Sequence, residues 1–310
     1  MVAEDVGMAT NNGFADFSVS GNGALFYGRG RNAGKGRFGW RDRAGKLLET
    51  IGQPFENTGR LFSLSPDGAR VAFTTGARHP DVWVLELARG VSTRITFNSA
   101  TSPQWSPDGK QLYNRNPGGI HRKAADGSGE EELMVKGTSA GPTQCVSPDG
   151  KYLLFRSTDI MKLPLSGERK PEPYLQTKYW EGNASFSADG RWIAYSSNES
   201  GRLEIYVQGF PEPRGKWLVS TAGGVSAHWR ADGKELYWRT QDNTLMAATV
   251  ELQKAGVRVG RPERLFLLPE SSYFQPARDG RRFLVLEPEG TPPPDLPMVV
   301  IQNWAAGLTK

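Results

Sequence analysis

Residues 105–110 read W-S-P-D-G-K, and the tetrapeptide Ser-Pro-Asp-Gly inside that stretch also stands at 65–68 and 147–150. Imperfect copies follow the same template: S-G-N-G at 20–23, S-A-D-G at 187–190, R-A-D-G at 230–233 and A-R-D-G at 277–280. The closing glycines of the seven copies, Gly23, Gly68, Gly109, Gly150, Gly190, Gly233 and Gly280, are spaced by 45, 41, 41, 40, 43 and 47 residues. A period of that length is the signature of four-stranded propeller blades. The turn has a physical reason: Asp or Asn accepts a backbone N–H two residues on, Pro presets φ at the corner, and Gly takes the positive φ that closes a hairpin.

The flanks read as strands. Four residues before each glycine stand Val19, Leu64, Trp105, Val146, Phe186, Trp229 and Pro276, and three residues after it Phe26, Val71, Leu112, Leu153, Ile193, Leu236 and Phe283. Five residues before it the chain is polar or small: Ser18, Ser63, Gln104, Cys145, Ser185, His228 and Gln275. This alternation is the period of a pleated strand. A third strand follows in each unit, as in D-V-W-V-L-E-L (81–87), and then a short fourth, as in S-T-R-I-T-F (92–97). The last unit offers a third strand at 297–304 and no fourth, so residues 2–8 are expected to supply it. The expectation is an all-β, seven-bladed propeller of four-stranded antiparallel blades, one domain over 1–310, closed by that N-terminal strand. A six-bladed ring with a separate terminal hairpin is the alternative.

Composition agrees with a folded, turn-rich chain: 37% hydrophobic and 23% charged residues, with 37 Gly and 21 Pro. The net charge of +5 is spread along the chain, its one local excess being Arg29 to Lys46, and no nucleic-acid reading module accompanies it. One cysteine, Cys145, excludes an internal disulfide framework. No apolar run reaches the roughly 18 residues of a membrane span, and the N-terminus lacks a signal-peptide layout.

With its S-P-D-G turns and D-[IV]-W-like third strands, the chain resembles the TolB-like, WD-type propellers of bacteria. More narrowly, W-V-L-E-L-A-R-G-V-S-T-R-I-T-F (83–97), S-S-N-E-S-G-R-L-E-I-Y-V (196–207), G-K-W-L-V-S-T-A-G-G (215–224) and V-V-I-Q-N-W-A-A-G-L (299–308) are similar to the C-terminal propeller of membrane-anchored bacterial Ser/Thr protein kinases and their kinase-less relatives. That resemblance implies an extracytoplasmic, periplasmic sensing or interaction domain. Kinase activity does not carry over, since neither a kinase catalytic loop nor a metal-binding D-F-G stands in the sequence.

The chemical motifs are weak. G-T-S-A-G at 137–141 matches a nucleophile elbow around Ser139, but Pro142 and an inner strand follow where a helix is required. G-R-G-R-N-A-G-K-G at 28–36 lacks the glycine and the hydroxyl residue of a phosphate loop. The three histidines, His79, His121 and His228, fall on different parts of the repeat, and the turn aspartates are spread one per blade. No catalytic residue, cofactor or metal is therefore expected.

Ligand-binding candidates lie on the face opposite the Ser-Pro-Asp-Gly turns, where the longer loops gather: Trp180 and Glu181 first, then Tyr179, His79, Arg202, Glu199 and Tyr273, with His228 on an inner strand. The aromatics among them equally suit padding between blades. The functional expectation is a non-catalytic ligand- or protein-binding propeller, the sensor or interaction domain of a bacterial signalling protein. Its partner would be a protein, a peptide or a cell-envelope fragment, and the isolated domain a monomer. The alternative is a propeller enzyme, a polysaccharide lyase or hydrolase using carboxylates and His228 at the channel mouth.

Overall fold

A computed structural model of the chain describes residues 17–19, 24–27, 35–56, 62–76, 78–137, 140–253, 256–269, 272–289 and 299–302. Each Ser-Pro-Asp-Gly copy from 65 onward folds as read. At the first, Gly68 N–H donates to the Ser65 carbonyl at 2.8 Å, and Asp67 Oδ1 accepts the Ala69 N–H at 3.0 Å. The Ser65 hydroxyl donates to Asp67 Oδ1 and accepts the Arg70 N–H, so both side chains bind back onto the corner's own backbone. Gly68 sits at φ 72°, in the left-handed region that costs other residues about 1–2 kcal/mol.

Five blades run consecutively along the chain. Blade 1 is built from Ser63–Leu64, Arg70–Thr75, Asp81–Glu86 and Val91–Arg94. Blade 2 uses Thr101–Trp105, Gln111–Asn116, Gly119–Ala124 and Glu132–Lys136, and blade 3 uses Thr143–Val146, Tyr152–Arg156, Ile160–Pro164 and Glu172–Leu175. Blade 4 is Glu181–Phe186, Trp192–Ser197, Glu204–Gly209 and Trp217–Leu218. Blade 5 is Val225–Trp229, Glu235–Arg239, the long Thr244–Gln253 and Glu263–Leu267, with Gly256–Val259 added beside the long strand.

The sixth blade closes the ring and corrects the expectation of seven. Its inner pair, Phe274–Pro276 and Arg282–Pro288, comes from the C-terminal side, and its outer pair, Lys35–Asp42 and Leu47–Glu56, from the N-terminal side. Arg282 to Pro288 pairs without a break against Asp42 to Gly36. The strand expected at 297–304 does not join this blade. Val299–Gln302 pairs instead with Ala24–Tyr27, which also pairs with Phe17–Val19, giving a separate three-stranded sheet. Residues 2–8, expected to seal the ring, lie outside the described residues.

Packing explains the choice. Phe38 and Trp40 of the 35–42 strand are buried against Phe62, Val71 and Phe73 of blade 1, an apolar match that makes 35–42 the third strand of the closing blade. Six buried clusters occupy the six successive blade boundaries, from blade 1 against blade 2 round to blade 6 against blade 1. A strand sheet closed this way leaves no ring edge to pair with another chain. Inner strands are also tied across boundaries: Trp105 Nε1 donates to the Ser63 carbonyl at 2.8 Å and Trp229 Nε1 to the Ser185 carbonyl at 3.2 Å.

Candidate functional site

The innermost strands do not run regularly. Register shifts interrupt them in blades 2, 3, 4 and 5, and Ser102, Asn183 and Ser226, each seven residues before a turn glycine, hold φ near +55°. A bulge adds a residue to one strand and re-aims its neighbours. Here it turns residues at successive positions toward the axis.

They line a narrow mid-channel chamber of about 40 Å³ walled by Gln104, Gln144, Asn183, Ser226, His228 and Gln275, with Phe62 and two alanines. Gln104, Gln144, His228 and Gln275 also border a wider funnel of about 330 Å³, whose wall includes Ser65, Pro66, Pro148, Ser187 and Arg278. Because those are turn residues, the funnel opens on the Ser-Pro-Asp-Gly face, the face opposite the one expected to bind.

Two kinds of polar group meet there. Gln275 is fully engaged, accepting the Leu64 N–H at 2.6 Å and donating to the Phe62 carbonyl at 3.0 Å, so it stitches blade 6 to blade 1. Gln144 accepts the Ala184 N–H at 2.8 Å through Oε1, which fixes its amide and leaves the NH2 group without a partner among the described residues. Among the described residues Gln104 bonds only the Ser63 hydroxyl, through Oε1, and the Asn183 side chain has no partner. His228 packs edge-to-face on Phe274, ring centroids 5.1 Å apart. Burial alone pushes its pKa down to about 4, so it is neutral at neutral pH. Neither the chamber nor the funnel is lined by an Asp or Glu among the described residues. Cys145 borders the funnel with its thiol pushed up by burial, which makes it a packing group rather than a nucleophile.

Of the eight sequence-derived candidates, His228 alone lines this channel. Tyr179, Trp180, Glu181 and Glu199 gather at the boundary of blades 3 and 4. Tyr179 is exposed, with the Lys178 ammonium over its ring at 5.2 Å. Trp180 lies under the Arg156 guanidinium at 4.8 Å; its N–H donates to Asn198 Oδ1 at 2.9 Å and its carbonyl accepts the Asn198 N–H at 3.3 Å. Glu181 is buried rather than exposed: Thr177 donates to Oε1, Oε2 has no partner, and burial raises its pKa. Glu199 is held by Lys216.

The remaining candidates stand apart. Arg202 is tied to buried Glu204 at 2.7 Å, which also accepts from the Ser220 hydroxyl and the Gly223 N–H, locking the blade's outer strand. Asp81 does the same in blade 1 with Arg94, Thr96 and Asn98. His79 is exposed on a blade 1 loop, and Tyr273 packs toward the boundary of blades 6 and 1 with Arg239 over its ring at 5.8 Å. Sequence reading missed Gln144, Asn183 and Ser226 as channel residues. Gln104 and Gln275 carried a signal, since the position five before each glycine is polar or small throughout.

Solved structures share this fold. A candidate TolB of Agrobacterium tumefaciens superposes with a TM-score of 0.62 at 17% identity, over 83% of this chain and 99% of that one. TolB of Acinetobacter baumannii gives 0.54 at 17% identity, over 84% of this chain and 65% of that one. A candidate 6-phosphogluconolactonase of Bacteroides uniformis gives 0.54 at 16% identity, over 90% and 87%. Identities this low establish a TolB-like β-propeller architecture and nothing of activity. No protein-family model matches the chain, and no curated protein matches it in sequence.

Proposed function

We propose that the chain is a non-catalytic binding propeller whose site is the axial channel entered from the Ser-Pro-Asp-Gly face. The observation that carries this reading is the chamber itself: neutral hydrogen-bonding groups of Gln104, Gln144, Asn183 and His228 line it without partners among the described residues, on a scaffold locked at six boundaries. Groups held free on rigid strands are the arrangement of a preorganised ligand site. Hydrolysis or elimination needs an acid and a base within reach of one another. With no carboxylate in the described lining, His228 has no such companion, which favours binding over the lyase or hydrolase alternative.

The two TolB neighbours favour a protein or peptide as the partner. The resemblance to kinase-associated propellers extends the reading to an extracytoplasmic sensor or interaction domain of a bacterial signalling protein. Among the described residues no helix is long and apolar enough to cross a membrane. Tyr179, with the half-buried Trp180 and Glu199 on the opposite face, forms a second surface available to a partner.

A thermal-shift panel of short peptides and cell-wall fragments tests this proposal. Stabilising compounds should lose their effect in His228→Gln and Gln144→Met variants that unfold normally without ligand. Turnover of a panel compound, or stabilisation indifferent to both substitutions, would defeat it.

A further inference from the structure

We propose that the chamber receives a carboxylate, the free C-terminal group of a peptide that enters through the funnel; this rests on the binding reading above and names its ligand chemistry.

Size comes first. At about 40 Å³ the chamber is far smaller than the funnel of about 330 Å³ that leads into it, so it takes a small terminal group such as a carboxylate while the rest of the ligand stays in the funnel.

Donor chemistry points the same way. The Gln144 amide is oriented by the Ala184 N–H on its Oε1, so only its NH2 end is offered to the chamber. Gln104 likewise has its Oε1 on Ser63, while Gln275 has both ends engaged and serves as wall. Donors without acidic neighbours suit an anion and repel no negative charge.

Charge around the entrance agrees. Arg230 is neutralised by Asp232 and Glu235, but Arg278, exposed at the funnel, bonds the Pro66 carbonyl and has no carboxylate partner among the described residues. Elsewhere the funnel wall is mixed, with Leu64, Pro66, Val146, Pro148 and Phe186 set among serines and amides. Peptide side chains can pack on the apolar part of such a wall while its serines and amides meet peptide polar groups.

His228 gives the site a reporter. No charged group is paired with it; the residues packed around it are Phe274 and the neutral amides of the chamber, with Arg278 and the compensated Arg230 further out in the funnel. A carboxylate seated beside the ring would favour the imidazolium and couple binding to proton uptake.

The protein has only three histidines, so each can be followed by NMR. Saturating sodium acetate should raise the His228 titration midpoint by about one unit, a tenfold gain in proton affinity, relative to sodium chloride of equal ionic strength. Acetamide should leave it unchanged. An acetylated tri-alanine with a free C-terminus should act as acetate does, and its C-terminal amide should not.

An unmoved midpoint in acetate overturns the carboxylate, as does an amide acting as well as the acid. An active acetate with an inert tri-alanine overturns the peptide source. These results are independent of the panel above: a channel-dependent panel ligand together with an unmoved midpoint leaves the binding reading standing and removes only this inference.

Discussion

Arg41 and Glu287, 246 residues apart in the chain, face each other as a two-point pair: Nε to Oε1 at 2.6 Å and the second guanidinium nitrogen to Oε2 at 2.8 Å. One sits on an N-terminal strand and the other on a C-terminal strand of the closing blade. Between them in register lies Gly39, where an added Cβ would come within 2.8 Å of both Glu287 Cγ and Leu47 Cδ1. The bare glycine lets the glutamate side chain lie across the sheet and reach its partner.

Removing Arg41 strands a mostly buried carboxylate, the situation in which a broken pair costs most. Because Arg41 is still partly exposed, Arg41→Ala should lower stability by about 2 kcal/mol, and Glu287→Gln by about 1 kcal/mol. Gly39→Ala should cost at least as much as Arg41→Ala, through the clash. Urea unfolding at constant pH checks the order, and a Gly39→Ala protein as stable as the parent would contradict it.

At Gly68 the backbone conformation can be isolated from packing. A Cβ there meets nothing within 4 Å, so Gly68→Ala carries only the cost of φ 72°. The expected loss is about 1 kcal/mol, and Gly68→Asn should lose less, because Asn tolerates the left-handed region better. Equal losses for the two, measured by denaturant midpoint, would show that something other than φ is at work.

These two regions mark what the sequence could and could not reveal. The turn is local chemistry, four residues whose bonds close within the corner, so its copies and their hairpins were legible. Closure depends on which distant strands share a register, and the S-G-N-G hairpin carried the same signature while pairing outside the ring. The channel was half legible for a related reason: Gln104, His228 and Gln275 keep the strand alternation, whereas bulges bring Gln144 and Asn183 to the axis out of phase. Glu181 stands beside Trp180 in K-Y-W-E-G-N, aromatic and charged groups together, which suggests a binding site, yet it occupies a position that is Ala100, Gly141 or Gly224 in other blades and is buried.

That position makes Glu181 a test of buried charge. Its Oε2 lacks a partner, and burial raises its pKa above the usual carboxylate range while the Thr177 bond opposes the shift. The folded state therefore takes up a proton before the unfolded chain does, so this group adds stability as pH falls through the raised pKa and withholds it at neutral pH. Glu181→Gln keeps the shape, the Thr177 bond and a neutral head. It should match or exceed the parent in stability at pH 7, with the advantage vanishing by about pH 4, near the unfolded carboxylate value. A variant less stable than the parent at pH 7 in urea would mean that the carboxylate is held by favourable partners after all.

His228 works in the opposite sense. Its folded pKa of about 4 lies below the ordinary 6.5, so the unfolded chain binds the proton first as pH falls. Above about pH 6.5 neither state is protonated and the group is silent; between 6.5 and 4 stability is lost progressively; below 4 both states are charged and the loss stops growing. At roughly 1.4 kcal/mol per unit the full loss is on the order of 3–3.5 kcal/mol, about 3 of it reached by pH 4. Other carboxylates also titrate in acid, so the informative quantity is the difference between parent and His228→Gln, each unfolded in urea from pH 7 to pH 4. That difference should shift against the parent by the stated amount, almost all of it below pH 6.5. Parallel curves would place the imidazole in contact with bulk water and take from the channel the desolvation on which its proton-coupled binding depends.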